Sequence, residues 1–153
     1  MKDNIVLIVL TALSLLLPIA VLADGEKKVQ MKNLPPAVQA TVKEQSKGAA
    51  IRGLAKETEK GKTLYELELR VDGHTKDLMI DASGKIVSIE EQVELKDLPA
   101  LVQSAIIIQT GKGKILIIES LTEGGTLIGY EAAIKIGVKS REIKISPDGK
   151  LIK

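Results

Sequence analysis

Tyr65-Glu66-Leu67-Glu68-Leu69-Arg70-Val71-Asp72-Gly73 alternates apolar and charged residues and then breaks at a turn. Alternation with a period of two puts Tyr65, Leu67, Leu69 and Val71 on one side of a strand and Glu66, Glu68 and Arg70 on the other. A sheet built this way has one buried face and one wet face. Asp72-Gly73 tolerates the positive φ angles of a tight hairpin, so the chain turns back on itself there. Working outward, strands are expected at about 49–58, 63–72, 75–81 and 85–94. The turn Asp81-Ala82-Ser83-Gly84-Lys85 closes the second hairpin. Short connections imply an antiparallel meander.

Ahead of these strands stands Leu34-Pro35-Pro36-Ala37-Val38-Gln39. Proline belongs in a first helical turn, where its missing N–H costs nothing. Leu34, Val38 and Val42 recur every fourth residue, one apolar stripe of a helix that stops near Gly48. The same grammar returns later. Leu98-Pro99-Ala100-Leu101-Val102-Gln103 opens a second helix ending near Gly111, although Ile106-Ile107-Ile108 is β-branched and weakens it. Tyr130-Glu131 repeats Tyr65-Glu66, and Gly149-Lys150 repeats Gly84-Lys85. Strands are expected at 114–122, 127–137, 139–146 and 149–153. The chain thus reads as two tandem repeats, 29–92 and 93–153, of the α+β class. Each is a helix packed on an antiparallel four-stranded meander sheet. Units this small are marginal alone without disulfides or metal, so the two are expected to fold together.

Residues 1–23 read as a cleaved signal peptide. Lys2 precedes an apolar run from Ile5 to Leu22, and Val21-Leu22-Ala23 suits cleavage before Asp24. The rival reading is a retained anchor, since a run of about 18 residues is the lower limit for a spanning helix. Pro18 and the polar turn from Asp24 to Lys28 favour cleavage. The expected location is periplasmic or secreted, with no membrane contact after cleavage.

Composition excludes many chemistries. Among 153 residues there is no Cys, Trp or Phe, and there are two Tyr and one His. Disulfides, thiolate nucleophiles and Cys-based zinc sites are absent, and one His cannot build a zinc helix. No aromatic platform exists for single-stranded nucleic acid, and a formal net charge of +2 gives no phosphate-tracking stripe. No catalytic residue, metal site or cofactor is expected. Ser residues lack catalytic settings, and His74 follows a turn with no nucleophile implied near it. Gly61-Lys62-Thr63 lacks the first glycine of a phosphate loop. Glu66 with Glu68, and Glu90 with Glu91, could do acid–base work, but alternation already explains them as solvated strand residues. Glu68 is expected to face a cation such as Arg70 or Lys76.

Leu34, Pro35, Val38, Tyr65, Glu66, Asp72, Gly73, Asp81, Gly84 and Lys85 form a pattern that resembles the PepSY-like family. More closely it is similar to the bacterial secreted β-lactamase-inhibitor-like group. Leu98, Pro99, Val102, Tyr130, Glu131, Asp148, Gly149 and Lys150 supply a second copy. The resemblance implies two helix-on-sheet units side by side, with an exposed sheet face used for protein binding. It also implies restraint of secreted peptidases, which PepSY domains accompany. This chain lacks the Cys and the aromatic contact residues of the inhibitor protein, which points away from β-lactamase inhibition itself.

The expected function is therefore a non-enzymatic, PepSY-like protein-binding module, with an envelope protein such as a peptidase as partner. The binding face is expected to present Glu66, Glu68, Arg70, Glu131, Lys135, Arg141 and Lys144. The alternative is an envelope small-ligand or metal sensor with a cavity between sheet and helix. A small hydrolase is the third reading, and its nucleophile–base pair cannot be assembled here.

Overall fold

The computed structural model describes residues 27–59 and 61–152. The leader expected at 1–23 lies outside them. Strand β1 (Lys27–Lys28) and a 3-10 turn (Met31–Asn33) lead into α1 (Pro36–Gln45). Then come β2 (Ala50–Glu59), β3 (Lys62–Val71), β4 (His74–Asp81) and β5 (Ile86–Gln92). A second 3-10 turn (Leu95–Asp97) precedes α2 (Ala100–Thr110), β6 (Lys114–Glu123), β7 (Thr126–Ile136), β8 (Lys139–Ile145) and β9 (Leu151–Ile152). The fold is α+β, as expected.

All nine strands form one antiparallel sheet in chain order. The four-stranded sheets expected of each half are therefore continuous. The join is β5 against β6, where Glu90 pairs with Leu121 and Gln92 with Glu119 across the α2 connection. This edge pairing gives each half hydrogen-bond partners it would otherwise lack.

The helices lie on one face. Under α1, Val38 and Val42 pack with Leu34, Tyr65, Leu67, Leu69, Leu78 and Ile80. Under α2, Val102 and Ile106 pack with Leu98, Ile118, Tyr130, Ala132, Ile134, Ile143 and Ile145. Tyr65 and Tyr130 hold matching places in the two clusters, so both aromatic residues are core anchors. The β-branched run at 106–108 stays helical because full burial of Ile106 outweighs its weaker propensity. Entry to each helix is also alike. Pro35 and Pro99 stand just before the first turn with extended backbones. Gln39 and Gln103 each fold back to donate a side-chain N–H to the carbonyl of Leu34 or Leu98, at 2.9 and 2.8 Å. The β4–β5 turn touches α1 through Gly84, where a Cβ would lie 2.7 Å from the Ala37 carbonyl oxygen. The β8–β9 turn touches α2 in the same way, Gly149 against Leu101.

Candidate functional site on the helix-free sheet face

Alternation places a second set of side chains on the face without helices. Glu68 stands opposite Asp77, and Asp77 opposite Glu90. One step along, Glu119 stands opposite Glu131, and Glu131 opposite Lys144. The two rows meet diagonally at Glu90 and Glu119, because Glu90 faces Leu121 and Glu119 faces Gln92. A carboxylate therefore occurs on each of five consecutive strands, β3 to β7, and a cation ends the series on β8. Directly opposed side chains have Cβ atoms about 5 Å apart, so like charges here repel.

This face is also covered to an unusual degree. Met79 is 2% exposed, Ser88 7%, Leu121 8%, and Glu90 and Glu131 are each 9%. No helix shields them. Bulges at Ile51/Gly53, Met79/Ile80, Ile115/Ile117 and Leu121/Thr122 add twist and bend to the sheet. Ser88, opposite Met79 and Glu123, buries its hydroxyl without a hydrogen-bond partner among the described residues.

Burial and crowding shape the protonation of the cluster. Burial, then the neighbouring Glu119, Glu131 and Asp77, push the Glu90 carboxyl up to about 8 against the opposing pull of Lys144. Burial, then Asp77 and Glu131, raise Glu119 to about 7. Burial and Glu68 raise Asp77 to about 6, with Arg52 opposing. Glu142 on β8 is raised by burial and by Glu131. Lys144 lies 3.0 Å from the Glu131 carboxylate, a cation seated within the cluster. Close neighbours of this kind titrate together, so protons are shared across the set rather than owned by single residues. Burial and crowding thus favour the protonated form of these carboxyls.

Glu66, Glu68, Arg70, Glu131, Lys135 and Lys144 all lie on this face, by register with Met79, Asp77, Thr75, Glu119, Ser140 and Glu131 respectively. Arg141 does not. It pairs with Ile134 on the helix face, and its guanidinium donates to the Gln109 carbonyl of α2 at 3.0 Å. Parity decides this: Arg141 and Lys144 are an odd number of residues apart on one strand and cannot share a face. Glu68 does not face Lys76, which points to the helix side and lies 3.4 Å from Glu91. Arg70 donates instead to the Gly73 carbonyl at 2.6 Å. The Glu68 carboxyl packs over Gly53, where a Cβ would approach it to 2.7 Å. Sequence reasoning missed Asp77, Glu90, Glu119 and Glu142 as members of one cluster. His74 meets Glu94 at 3.5 Å. A cavity of about 220 Å³ is lined by Lys28, Arg52 and Glu68 at the β1–β3 edge, not between helix and sheet. No group of acidic or His side chains among the described residues has metal-holding geometry.

No family model matches the sequence, and no curated protein does. Solved structures do. A Bacteroides eggerthii protein, provisionally described as periplasmic, is similar with a TM-score of 0.65 at 17% identity, over 78% of this chain and 86% of its own. A DUF2874 family protein from Bacteroides ovatus gives 0.61 at 19% identity, over 78% and 85%. A BLIP-like protein from Bacteroides fragilis gives 0.58 at 21% identity, over 78% and 84%. None of the three is described as an enzyme. At these identities the likeness concerns backbone architecture, and this chain has the fold of the DUF2874 and BLIP-like proteins.

Proposed function

We propose that this chain is an exported, non-enzymatic, PepSY-like binding module whose helix-free sheet face takes up a basic segment of an envelope protein. The observation that carries this reading is the run of carboxylates on β3 to β7, held on a face that the helices leave open. A Lys or Arg side chain entering the cluster relieves repulsion among Asp77, Glu90, Glu119 and Glu131 and displaces protons from Asp77, Glu90 and Glu119. Relief of strain already present in the free protein makes such a contact specific for a cation. An envelope peptidase is the candidate partner, restrained by occupancy of its surface rather than by chemistry on this chain. Two matching helix–sheet units and a cleaved leader at 1–23 complete the reading. The periplasmic description of a structural neighbour supports the location.

The test is capture from envelope extract with chain 24–153, comparing wild type with Glu68→Lys and Glu131→Lys. The reading expects one specific partner, retained by wild type, lost with either reversal and held more weakly at pH 6 than at pH 8. A partner list unchanged by both reversals places the binding surface elsewhere. Detectable hydrolase turnover abolished by His74→Ala overturns the non-enzymatic reading.

A further inference from the structure

The two helices occupy equivalent places but differ on their outer sides. Helix α1 buries Val38 and Val42, one turn apart, and α2 buries Val102, Ile106 and Thr110 at the same spacing. The two residues after Val42 are Lys43 and Glu44, and the two after Ile106 are Ile107 and Ile108. Ile107 is 54% exposed and Ile108 73%. The fold tolerates charge at these places, since α1 carries it, so packing does not account for isoleucine there.

The β7–β8 hairpin adds to the same surface. Ile136 is 44% exposed and Val138, at the hairpin tip, 96%. Two contacts bring the hairpin to the helix. Arg141 holds the Gln109 carbonyl at the end of α2. In the α2–β6 turn, Gly113 packs so closely that a Cβ would lie 2.6 Å from the Lys135 carbonyl oxygen and 2.8 Å from Ile136. Helix end, turn and hairpin therefore form one end of the molecule.

That end is basic as well as apolar. No Asp or Glu occurs from Leu98 to Ile118 or from Ala132 to Arg141, while Lys112, Lys114, Lys135 and Lys139 do. Lys114 stands directly opposite Lys135, and Lys139 opposite Ile136. Among the described residues none of these four lysines is in an ion pair. Like charges opposed on neighbouring strands repel, and an anionic surface outside the chain relieves that repulsion.

We infer that this end docks on an anionic membrane surface. The exposed Ile and Val side chains enter the boundary between headgroups and acyl chains. Lys139, opposite Ile136, extends its stem over the apolar tips, while Lys114 and Lys135 reach lipid phosphates from the other side of the sheet at the same end. No helix among the described residues is long and apolar enough to cross a membrane, so the seat is interfacial. This departs from the expectation of no membrane contact after leader cleavage, and it does not draw on the carboxylates. Lys114 and Lys135 stand at one end of the carboxylate face, so docking there leaves the carboxylates on β3 to β6 uncovered.

The chain has no Trp, so a single indole reports its own surroundings. Val138→Trp and, as a control on α1, Lys43→Trp are made in the full chain as exported. Each is mixed with vesicles of phosphatidylcholine, with or without phosphatidylglycerol, and with brominated lipid as quencher. The expected result is a blue shift and quenching for Val138→Trp alone, with anionic vesicles alone, reversed by high salt. Adding Ile107→Lys and Ile108→Glu to Val138→Trp, which restores the residues of α1, weakens partitioning about tenfold. An indole at position 138 that stays in water, or that shifts equally with neutral vesicles, overturns the inference. So does protection of that indole without lipid in a sedimenting dimer, which would assign the surface to a second copy.

Discussion

Replacing Glu90 by Gln removes the carboxyl at the crossing point of the two acidic rows while keeping size and polarity. Wild-type Glu90 has its carboxyl raised from 4.5 to about 8. Below pH 4.5 the group is protonated in both folded and unfolded chains and contributes no pH dependence. Between about 4.5 and 8 the unfolded chain has released the proton and the folded chain retains it. Stability therefore falls as pH rises through that window. Moving one carboxyl that far corresponds to roughly 5 kcal/mol against the charged form. This is a ceiling, because Asp77 and Glu119 share the same protons and relax once one charge is gone. A gain of about 2 kcal/mol for Glu90→Gln at pH 8, or about 6 °C in Tm for a domain of this size, is the expected outcome. At pH 5 the variant should match wild type closely. Urea unfolding followed by far-UV circular dichroism at both pH values measures this. A variant no more stable than wild type at pH 8, or equally stabilised at pH 5, refutes the reasoning.

Other consequences follow from packing. Ile106→Ala, beneath α2, should cost about 2–5 kcal/mol, whereas Ile108→Ala on the outer side should change stability by less than about 0.5 kcal/mol; chemical denaturation of both separates them. Gly84→Ala places a Cβ 2.7 Å from the Ala37 carbonyl oxygen at φ +86, while Gly73→Ala meets open space at φ +88. The first should cost at least about 2 kcal/mol more than the second, and equal Tm values would remove the close turn–helix contact from the account. Fragment 24–92 leaves β5 without β6 and should unfold without a cooperative transition. A melt near the full-length temperature would show the first half to be self-sufficient.

The longer strands, β2 to β8, were legible in the sequence because each has an apolar side. Hairpins were legible from Asp72-Gly73 and from the turn at 81–85. The register of β3 on β4 follows from that first turn, so Asp77 opposite Glu68 could have been read directly. Glu90 could not, because the bulge at Met79/Ile80 shifts the register of β4 on β5. Glu119 was hidden further, since it meets Gln92 only through pairing of β5 with β6, across a helix and two turns. Arg141 was misplaced where strand parity alone would have corrected it. Strand β1 has two exposed lysines and no alternation to show, and its place depends on the register it finds on β2. The acidic cluster is thus a tertiary property. Its members are ordinary solvated residues on each strand and become a site when five strands align.

The central claim is that the helix-free face holds carboxyls kept from ionising by burial and by one another, ready to exchange protons for a cation. Carbon-13 NMR titration of the side-chain carboxyls measures it directly. Glu90, Glu119 and Asp77 should titrate near 8, 7 and 6. An added oligolysine peptide should lower all three, with shift changes confined to β3 through β8. Ordinary titration of all three in the range of solvent-exposed carboxylates, or peptide-induced changes on the helix face instead, would contradict the account.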